Sequence, residues 1–297
     1  MVSTDGDSDR PMIFGLETPA VAASQPPRVR FFPGDLVGMI VAEYLQADAV
    51  VVPITCNDAI DRGPLKNILE PKTRIGSPFV IAGLEAARGK GRKAVCGWEP
   101  NGGFLTGSDI RRDGKSLRAL PTRDALLPIL SVLFFATEQK LSLCELFDRL
   151  PKRFGRAGLL RNFSRQVGRR IVQQLSPFGS DIAEVRFPAG HVRFLNAART
   201  ETSAPESAMS AALRVREDLA RFFTPALGFG QISKLDYTDG VRIGFENGDI
   251  THVRPSGNAD ELRIYAVADT PTRAEAIIQV GIAEPDGILR KLEAFVS

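Results

Sequence analysis

Three short stretches of this sequence carry side chains whose types and spacing could do chemistry. In Asp5-Gly6-Asp7-Ser8-Asp9-Arg10, carboxylates alternate with small residues. That spacing lets a curled backbone bring hard oxygen donors onto one divalent cation, for which Mg²⁺ is the natural guess. Two other chemistries share the spacing. An EF-hand loop counted from Asp5 wants Gly at its sixth position and Glu at its twelfth, where this chain has Arg10 and Leu16. An aspartate-nucleophile phosphatase needs a hydrophobic strand before its first Asp, and only Val2 is available. The plain alternative is a solvated acidic turn.

The second stretch, GWEPNGG at 97–103, follows the apolar run KAVCGW, so it falls at the C-terminal end of a strand, where open α/β sheets place ligands. Glu99 and Asn101 stand two apart. On an extended backbone they point the same way and can accept and donate hydrogen bonds to vicinal sugar hydroxyls. A polar turn would have the same composition. The third stretch, Arg254-Pro255-Ser256-Gly257-Asn258, offers a guanidinium fork, a hydroxyl, an amide and a glycine that admits close backbone approach. These are parts that hold phosphate, and equally the parts of an ordinary turn. His191 and His252 are isolated in sequence and read as surface or packing residues.

The elements that position these stretches follow from periodicity. Asp35 opens a helix over PGDLVGMIVAEYLQ, and ADAVVVPI at 47–54 is a continuous apolar run suited to a buried parallel strand. A helix is expected from Asp58 to Leu69. Ser77-Pro78 supplies an N-cap and a first-turn proline for the helix FVIAGLEAAR. Asp113-Gly114 marks a hairpin, Thr122 caps a helix running through Phe135, and Ser142 begins another. Phe163, Val167, Ile171 and Leu175 recur every four residues opposite Arg161, Arg165 and Arg169, which predicts an amphipathic linker helix over 151–180. Beyond it, strand-like segments alternate with the helical segments ESAMSAALRVREDLARFF and TPTRAEAIIQVGIAE, and Asn247-Gly248 signals a type I′ hairpin. The domains expected are an α/β domain over 33–150, the linker, and a smaller α+β domain over 181–297, with 1–32 unable to stand alone.

Bulk properties narrow the classes. A net charge of +3 gives no reason to expect a polyanion, and the arginines of the linker read as the solvated side of a packed helix, so nucleic acid is not an expected partner. Three dispersed cysteines without a CxxC support neither a disulfide framework nor a zinc site, which fits a reducing cytoplasm. The acidic N-terminus does not read as a signal peptide. ALLPILSVLFFA is a core helix far shorter than the roughly 20 residues a bilayer needs, so no membrane partner is expected either.

Taken in order, and with TRIGSPFVI at 73–81 between the first two, the three motifs resemble the α-D-phosphohexomutase superfamily. GWEPNGGFLTGSDI, LPTRDALLPIL and HVRPSGNADELRIY are similar to its bacterial phosphomannomutase branch. The resemblance implies a mixed-sheet α/β third domain at 33–150 and a C-terminal α+β domain at 181–297, with 1–32 as a remnant of the second domain. It implies Mg²⁺ held by Asp5, Asp7 and Asp9, and Arg10 against a catalytic phosphoserine. Sugar hydroxyls would meet Glu99 and Asn101, and the non-reacting phosphate would meet Arg254, Ser256, Gly257 and Asn258. The implied reaction interconverts mannose 6-phosphate and mannose 1-phosphate through a bisphosphate, in a monomer.

The chain departs from the family pattern in several places. Asn101 stands for the common serine and Asn258 for the common threonine. Thr55 and Ser77 stand where some relatives have Lys and His, which leaves the general base unassigned. The family's TASHNP-like nucleophile loop has no counterpart in these 297 residues. The chain is therefore expected to be inactive alone, to pair with an N-terminal portion or separate chain, or to bind phosphosugars without catalysis; a phosphoglucomutase-type substrate range is the other alternative.

Overall fold

Alternating burial along one strand lays out the first part of the fold. The computed structural model describes residues 1–17, 26–179, 181–189 and 191–296; TPAVAASQ at 18–25, expected as part of an extended edge, lies outside them. The chain divides into two units, Met1–Lys152 and Arg153–Ser297, each described by itself.

The first unit begins with an antiparallel sheet of β1 (Val2–Thr4), β2 (Pro11–Glu17) and β3 (Arg28–Phe32). Ile13 and Phe32 turn inward into the core of this unit, so β2 and β3 are built into it. Helix α1 (Gly34–Tyr44), strand β4 (Ala49–Val51), helix α2 (Ser77–Gly89) and strand β5 (Val95–Trp98) follow. Strands β6 (Phe104–Thr106), β7 (Ile110–Arg112), β8 (Lys115–Leu117) and β9 (Leu120–Asp124) precede helices α3 (Leu126–Gln139) and α4 (Leu143–Asp148). The main sheet runs β4-β5-β6-β9, with β4 and β5 parallel and the other pairs antiparallel.

The apolar run around β4 feeds two cores because strand side chains alternate. Ala49 and Val51 pack with Val80, Leu84 and Ala87 of α2, whereas Val50 and Val52 pack with Val37, Ile40 and Val41 of α1 and Ile129 and Val132 of α3. A strand covered on both faces has to be apolar throughout.

Local signals were overruled at three places in this unit. The helix expected from Asp58 to Leu69 is a pair of 3-10 turns, Asp58–Asp61 and Pro64–Ile68. Pro64 lacks the N–H that would continue a helix, and Asn57 Oδ1 caps the first turn by accepting from Ala59 N at 2.9 Å. Ser77 does not cap α2: Gly76, at φ 122°, holds that position and the serine hydroxyl is used elsewhere. Thr122 lies within β9, whose pairing with β6 extends to Asp124, and Asp124 Oδ1 accepts from Leu126 N at 2.8 Å at the start of α3. Ser142 does cap α4, in a reciprocal box with Glu145. The Asp113-Gly114 hairpin joins β7 to β8 with both residues at positive φ, as a type I′ turn requires.

The second unit is an eight-stranded antiparallel sheet of β10 (Phe154–Arg161), β11 (Glu184–Arg186), β12 (Arg193–Leu195), β13 (Glu201–Thr202), β14 (Ile232–Asp236), β15 (Val241–Phe245), β16 (Ile250–Pro255) and β17 (Glu261–Ala268). Their order in the sheet is β10-β17-β16-β15-β14-β11-β12-β13. Helices α5 (Arg165–Leu175), α6 (Glu206–Ala220), α7 (Pro271–Ile282) and α8 (Ile288–Val296) share one core with Val185, Leu235, Ile243, Val253 and Ile264 of the sheet.

The 151–180 segment is therefore not a helical linker. Its first part is β10, paired with β17 from Phe154↔Ala268 to Arg161↔Glu261. Gly155 and Gly158 weaken any helix there, and a methyl at Gly158 would lie 2.6 Å from Ile278, so the glycine lets α7 approach the sheet. Its second part is α5, which does bury Ile171 and Leu175. Arg153 is buried, donating to Asp269 Oδ1 at 2.8 Å and to the Gly248 carbonyl at 2.7 Å. At Asn247-Gly248 only Gly248 has positive φ, and Phe245 N donates to Asp249 O at 3.0 Å. The connection is a three-residue loop ending in a glycine bulge, because the Asn247 side chain is tied to Gly228 O and Asp249.

The tightest approach in the first unit lies between α1 and the end of β5. A methyl at Gly38 would stand 2.3 Å from the Trp98 indole, and one at Gly34 would stand 2.3 Å from Gly102 Cα. Gly38→Ala should therefore cost about 1–3 kcal/mol through overpacking, although alanine is the better helix former. Trp98 is the only tryptophan, so its fluorescence in a urea titration reads this unit; an unchanged midpoint would contradict the packing argument.

Candidate functional site

The acidic motif is the turn of the β1–β2 hairpin. Asp5 N donates to Arg10 O at 3.2 Å, Ser8 N donates to Asp5 O at 3.1 Å, and Ser8 adopts φ 61° to close the loop. Arg10 N adds a bond to Asp5 Oδ1 at 3.1 Å. This curl gathers one oxygen each from Asp5, Asp7 and Asp9 within 4.8 Å of one another, the one such cluster among the described residues. The Arg10 guanidinium lies across it, paired with Asp5, with Asp7 Oδ1 at 3.4 Å and with Asp9 Oδ1 at 3.2 Å. Asp5 Oδ2 is buried, and its partner is the Arg10 guanidinium. A set of hard, closely spaced carboxylates fits a divalent cation of the magnesium or calcium type.

The second motif is a turn and not an extended segment. Gly102 N donates to Glu99 O at 2.9 Å, Glu99 N donates to Gly103 O at 3.0 Å, and Gly102 sits at φ 96°. Glu99 and Asn101 consequently do not project as a matched pair. Asn101 is exposed, and its Oδ1 accepts from Gly103 N at 3.0 Å, bracing its own turn. Glu99 is only 5% exposed. Its Oε1 accepts from Ser77 Oγ at 2.9 Å and from Arg123 Nε and Nη2 at 3.1 and 2.9 Å.

Arg123 also donates from Nη1 to Asp9 Oδ2 at 3.0 Å. One guanidinium thus bridges the acidic loop and the glutamate loop, and the first two motifs come together in one unit. Reading the sequence alone missed Ser77 and Arg123 as site residues. The available signal was Gly103: a methyl there would stand 2.8 Å from Arg123 Cδ, so the Gly-Gly pair clears the path of the arginine across from β9.

Beneath the turn, Asp35 on the first turn of α1 accepts from Leu36 N at 2.9 Å and Asn57 N at 3.0 Å. Burial nevertheless pushes its carboxyl up to about 6. Lys72, almost fully buried, pairs with Asp61 at 2.6 Å.

The third motif belongs to the second unit, at the β16–β17 connection. Ser256 is buried; its N donates to Glu261 O at 2.9 Å, and its Oγ accepts from Asn258 N and Ala259 N at 3.4 and 3.3 Å. Gly257 and Asn258 are exposed, and nothing stands within 4 Å of the place a methyl on Gly257 would take. Arg254 faces Asp239 Oδ1 at 3.4 Å, and its Nε makes no hydrogen bond. His252, two residues back, is buried with Nε2 against the Asp239 carbonyl, and burial pushes it down to about 4, so it is neutral at pH 7. It packs on Tyr265, as a packing residue should, while His191 is exposed. No helix among the described residues is long and apolar enough to cross a membrane.

Comparison with known proteins places these loops in context. Residues 33–154 match the family model described as phosphoglucomutase/phosphomannomutase, alpha/beta/alpha domain III, and residues 195–284 match that of the phosphoglucomutase/phosphomannomutase C-terminal domain. The phosphomannomutase of Sinorhizobium fredii is 35% identical over 285 residues, covering 95% of this chain and 48% of that protein. The phosphomannomutase of Salmonella muenchen is 34% identical over 282 residues, covering 93% of this chain and 47% of its own length. The chain thus spans about half the length of the curated relatives it matches. A crystal structure of a phosphoglucomutase/phosphomannomutase family protein from Burkholderia thailandensis shares the fold, with a TM-score of 0.54 at 14% identity over 99% of this chain and 46% of that one.

Asp35 generates a pH prediction. Its carboxyl titrates at about 6 in the folded chain, against about 3.9 in an unfolded one. The folded state holds the proton more tightly, so this contribution to stability is fully present below about pH 4 and is lost as pH rises through about 6. Asp35→Asn, which resembles the protonated acid, should match the wild type near pH 4 and exceed it by roughly 3 kcal/mol above about pH 7. Urea titrations followed by Trp98 check this, and a stability difference independent of pH would sink it.

Proposed function

The chain belongs to the phosphoglucomutase/phosphomannomutase family, and we propose that it supplies the cation, sugar and phosphate loops of a phosphomannomutase that interconverts mannose 6-phosphate and mannose 1-phosphate. The observation that carries this reading is the continuous line from Asp9 through Arg123 to Glu99, which ties a carboxylate trio to a sugar-binding carboxylate.

In this reading Asp5, Asp7 and Asp9 hold Mg²⁺, which when bound supplies charge neutralisation next to a transferring phosphoryl group. Arg10 adds positive charge beside it. Glu99, held by Ser77 and Arg123, accepts from sugar hydroxyls, and Asn101 contributes at the loop surface through its amide. Arg254 meets the non-reacting phosphate as a guanidinium fork, with the Gly257 and Asn258 backbone open to an anion and Ser256 bracing the loop. Gripping the phosphate that does not react allows the sugar to present either end. His252, neutral and buried against the Asp239 carbonyl, takes no part as an acid.

No Ser-His-Asn segment, like that of the family's nucleophile loop, occurs in these 297 residues. We infer that turnover needs the half of the relatives' length that this chain does not match; by itself the chain is a phosphosugar-binding unit. The intact loops favour that second reading over loss of all function.

Two measurements test the proposal. Calorimetry of the purified chain should show weak mannose 6-phosphate binding that falls about tenfold or more in Arg254→Ala, the worth of a charge-assisted hydrogen bond. An unchanged affinity would remove Arg254 from the site, and a preference for glucose 6-phosphate would move the chain to a phosphoglucomutase-type range. A coupled assay with mannose 1-phosphate and a bisphosphate activator should show no turnover by the 297 residues alone; ordinary mutase rates would refute the need for the remaining half.

A further inference from the structure

Asp9 divides its oxygens between two guanidinium groups. Oδ1 faces Arg10 Nε at 3.2 Å, and Oδ2 faces Arg123 Nη1 at 3.0 Å. Arg123 places its other two nitrogens on Glu99 Oε1, where Ser77 also donates. A guanidinium is planar, with its nitrogens in fixed relation, so Arg123 cannot shift its hold on Asp9 without shifting its hold on Glu99.

We propose that Arg123 is a positioning residue that couples cation binding at Asp5, Asp7 and Asp9 to the setting of Glu99. The inference rests on reading the acidic loop as the cation site, and it adds a link that neither loop contains by itself.

Charge and burial set its direction. Asp5, Asp7, Asp9 and Glu99 against Arg10 and Arg123 leave the cluster two negative charges in excess, which a divalent cation cancels. A cation that takes Asp9 as a ligand draws on the same carboxylate as Arg123 and repels the guanidinium. Of the two carboxylates that Arg123 bridges, Glu99 is the more buried, with 7% side-chain exposure against 26% for Asp9. Pairing is stronger where water is excluded, so Arg123 gives way on the Asp9 side and settles on Glu99. Binding at one carboxylate then alters affinity at the other, and the effect is reciprocal. A lysine would not serve, because a single ammonium cannot hold both partners in one plane.

The test is a double-mutant cycle read by Mg²⁺ binding to the full chain, with circular dichroism to confirm folding. Arg123→Met should bind Mg²⁺ roughly three- to fivefold more tightly, the worth of a partly exposed ion pair that no longer competes; a folding defect would not tighten binding. Glu99→Gln should weaken Mg²⁺ binding in the wild-type background, because Arg123 then rests on Asp9, and the change should largely vanish in the Arg123→Met background. A simple loss of negative field would act equally in both. Arg123→Gln, neutral like the methionine, provides the same comparison should the methionine variant fold poorly.

Equal or weaker binding by Arg123→Met, or an equal Glu99→Gln effect in both backgrounds, overturns the coupling and leaves the cation site standing. Absence of Mg²⁺ binding by the wild-type chain overturns the coupling and the cation site together.

Discussion

A carboxylate withdrawn from water must be paired, and Glu99 imposes that requirement on the whole first unit. Removing a charge from water costs several kcal/mol unless fixed donors replace the lost hydration. Ser77 Oγ and two nitrogens of Arg123 supply that replacement on one oxygen. The demand explains features that look unrelated along the chain. Ser77 leaves its expected capping duty because its hydroxyl is needed at Glu99, and Gly76 takes over with a positive φ. Strand β9 runs on to Asp124 and so delivers the Arg123 side chain across Gly103, where the absence of a side chain lets the arginine through.

Small residues do the complementary work on the other side of the turn. Gly34 and Gly38, one helical turn apart, let α1 close onto Gly102 and the Trp98 ring. Gly97 lies where any side chain would strike the Val51 carbonyl. With the backbone this close, the 99–102 turn has no room to relax, and the position of Glu99 follows from packing as much as from its hydrogen bonds.

The second unit solves a different problem. Its third motif closes the β16–β17 hairpin, so the placement of Arg254 depends on strand register, where a slip of one residue would turn the side chain to the opposite face. The register is held by the long pairing of β10, β17 and β16 and by buried Arg153, which ties Asp269 to the Gly248 turn. His252 belongs to that framework: two residues before Arg254 and buried neutral, it contributes shape without competing charge.

Much of this was legible in the residues alone wherever the determinant is local. Alternate aspartates announce a carboxylate cluster, a continuous apolar run announces a strand covered on both faces, Asp113-Gly114 announces a hairpin, and the motif order announces the family. What required tertiary structure were the outcomes decided by partners distant in the chain. FGRAGLLR became a strand because β17, more than a hundred residues later, offered backbone partners. Asn101 turned to its own backbone because α1 forced the loop to bend, and Ser77 and Arg123 entered the site because the sheet brings them 22 and 24 residues from Glu99 in sequence into hydrogen-bond range. Spacing encodes what neighbours along the chain can do together; it carries no record of which distant side chain will answer a buried charge, since that is settled only when the layers close.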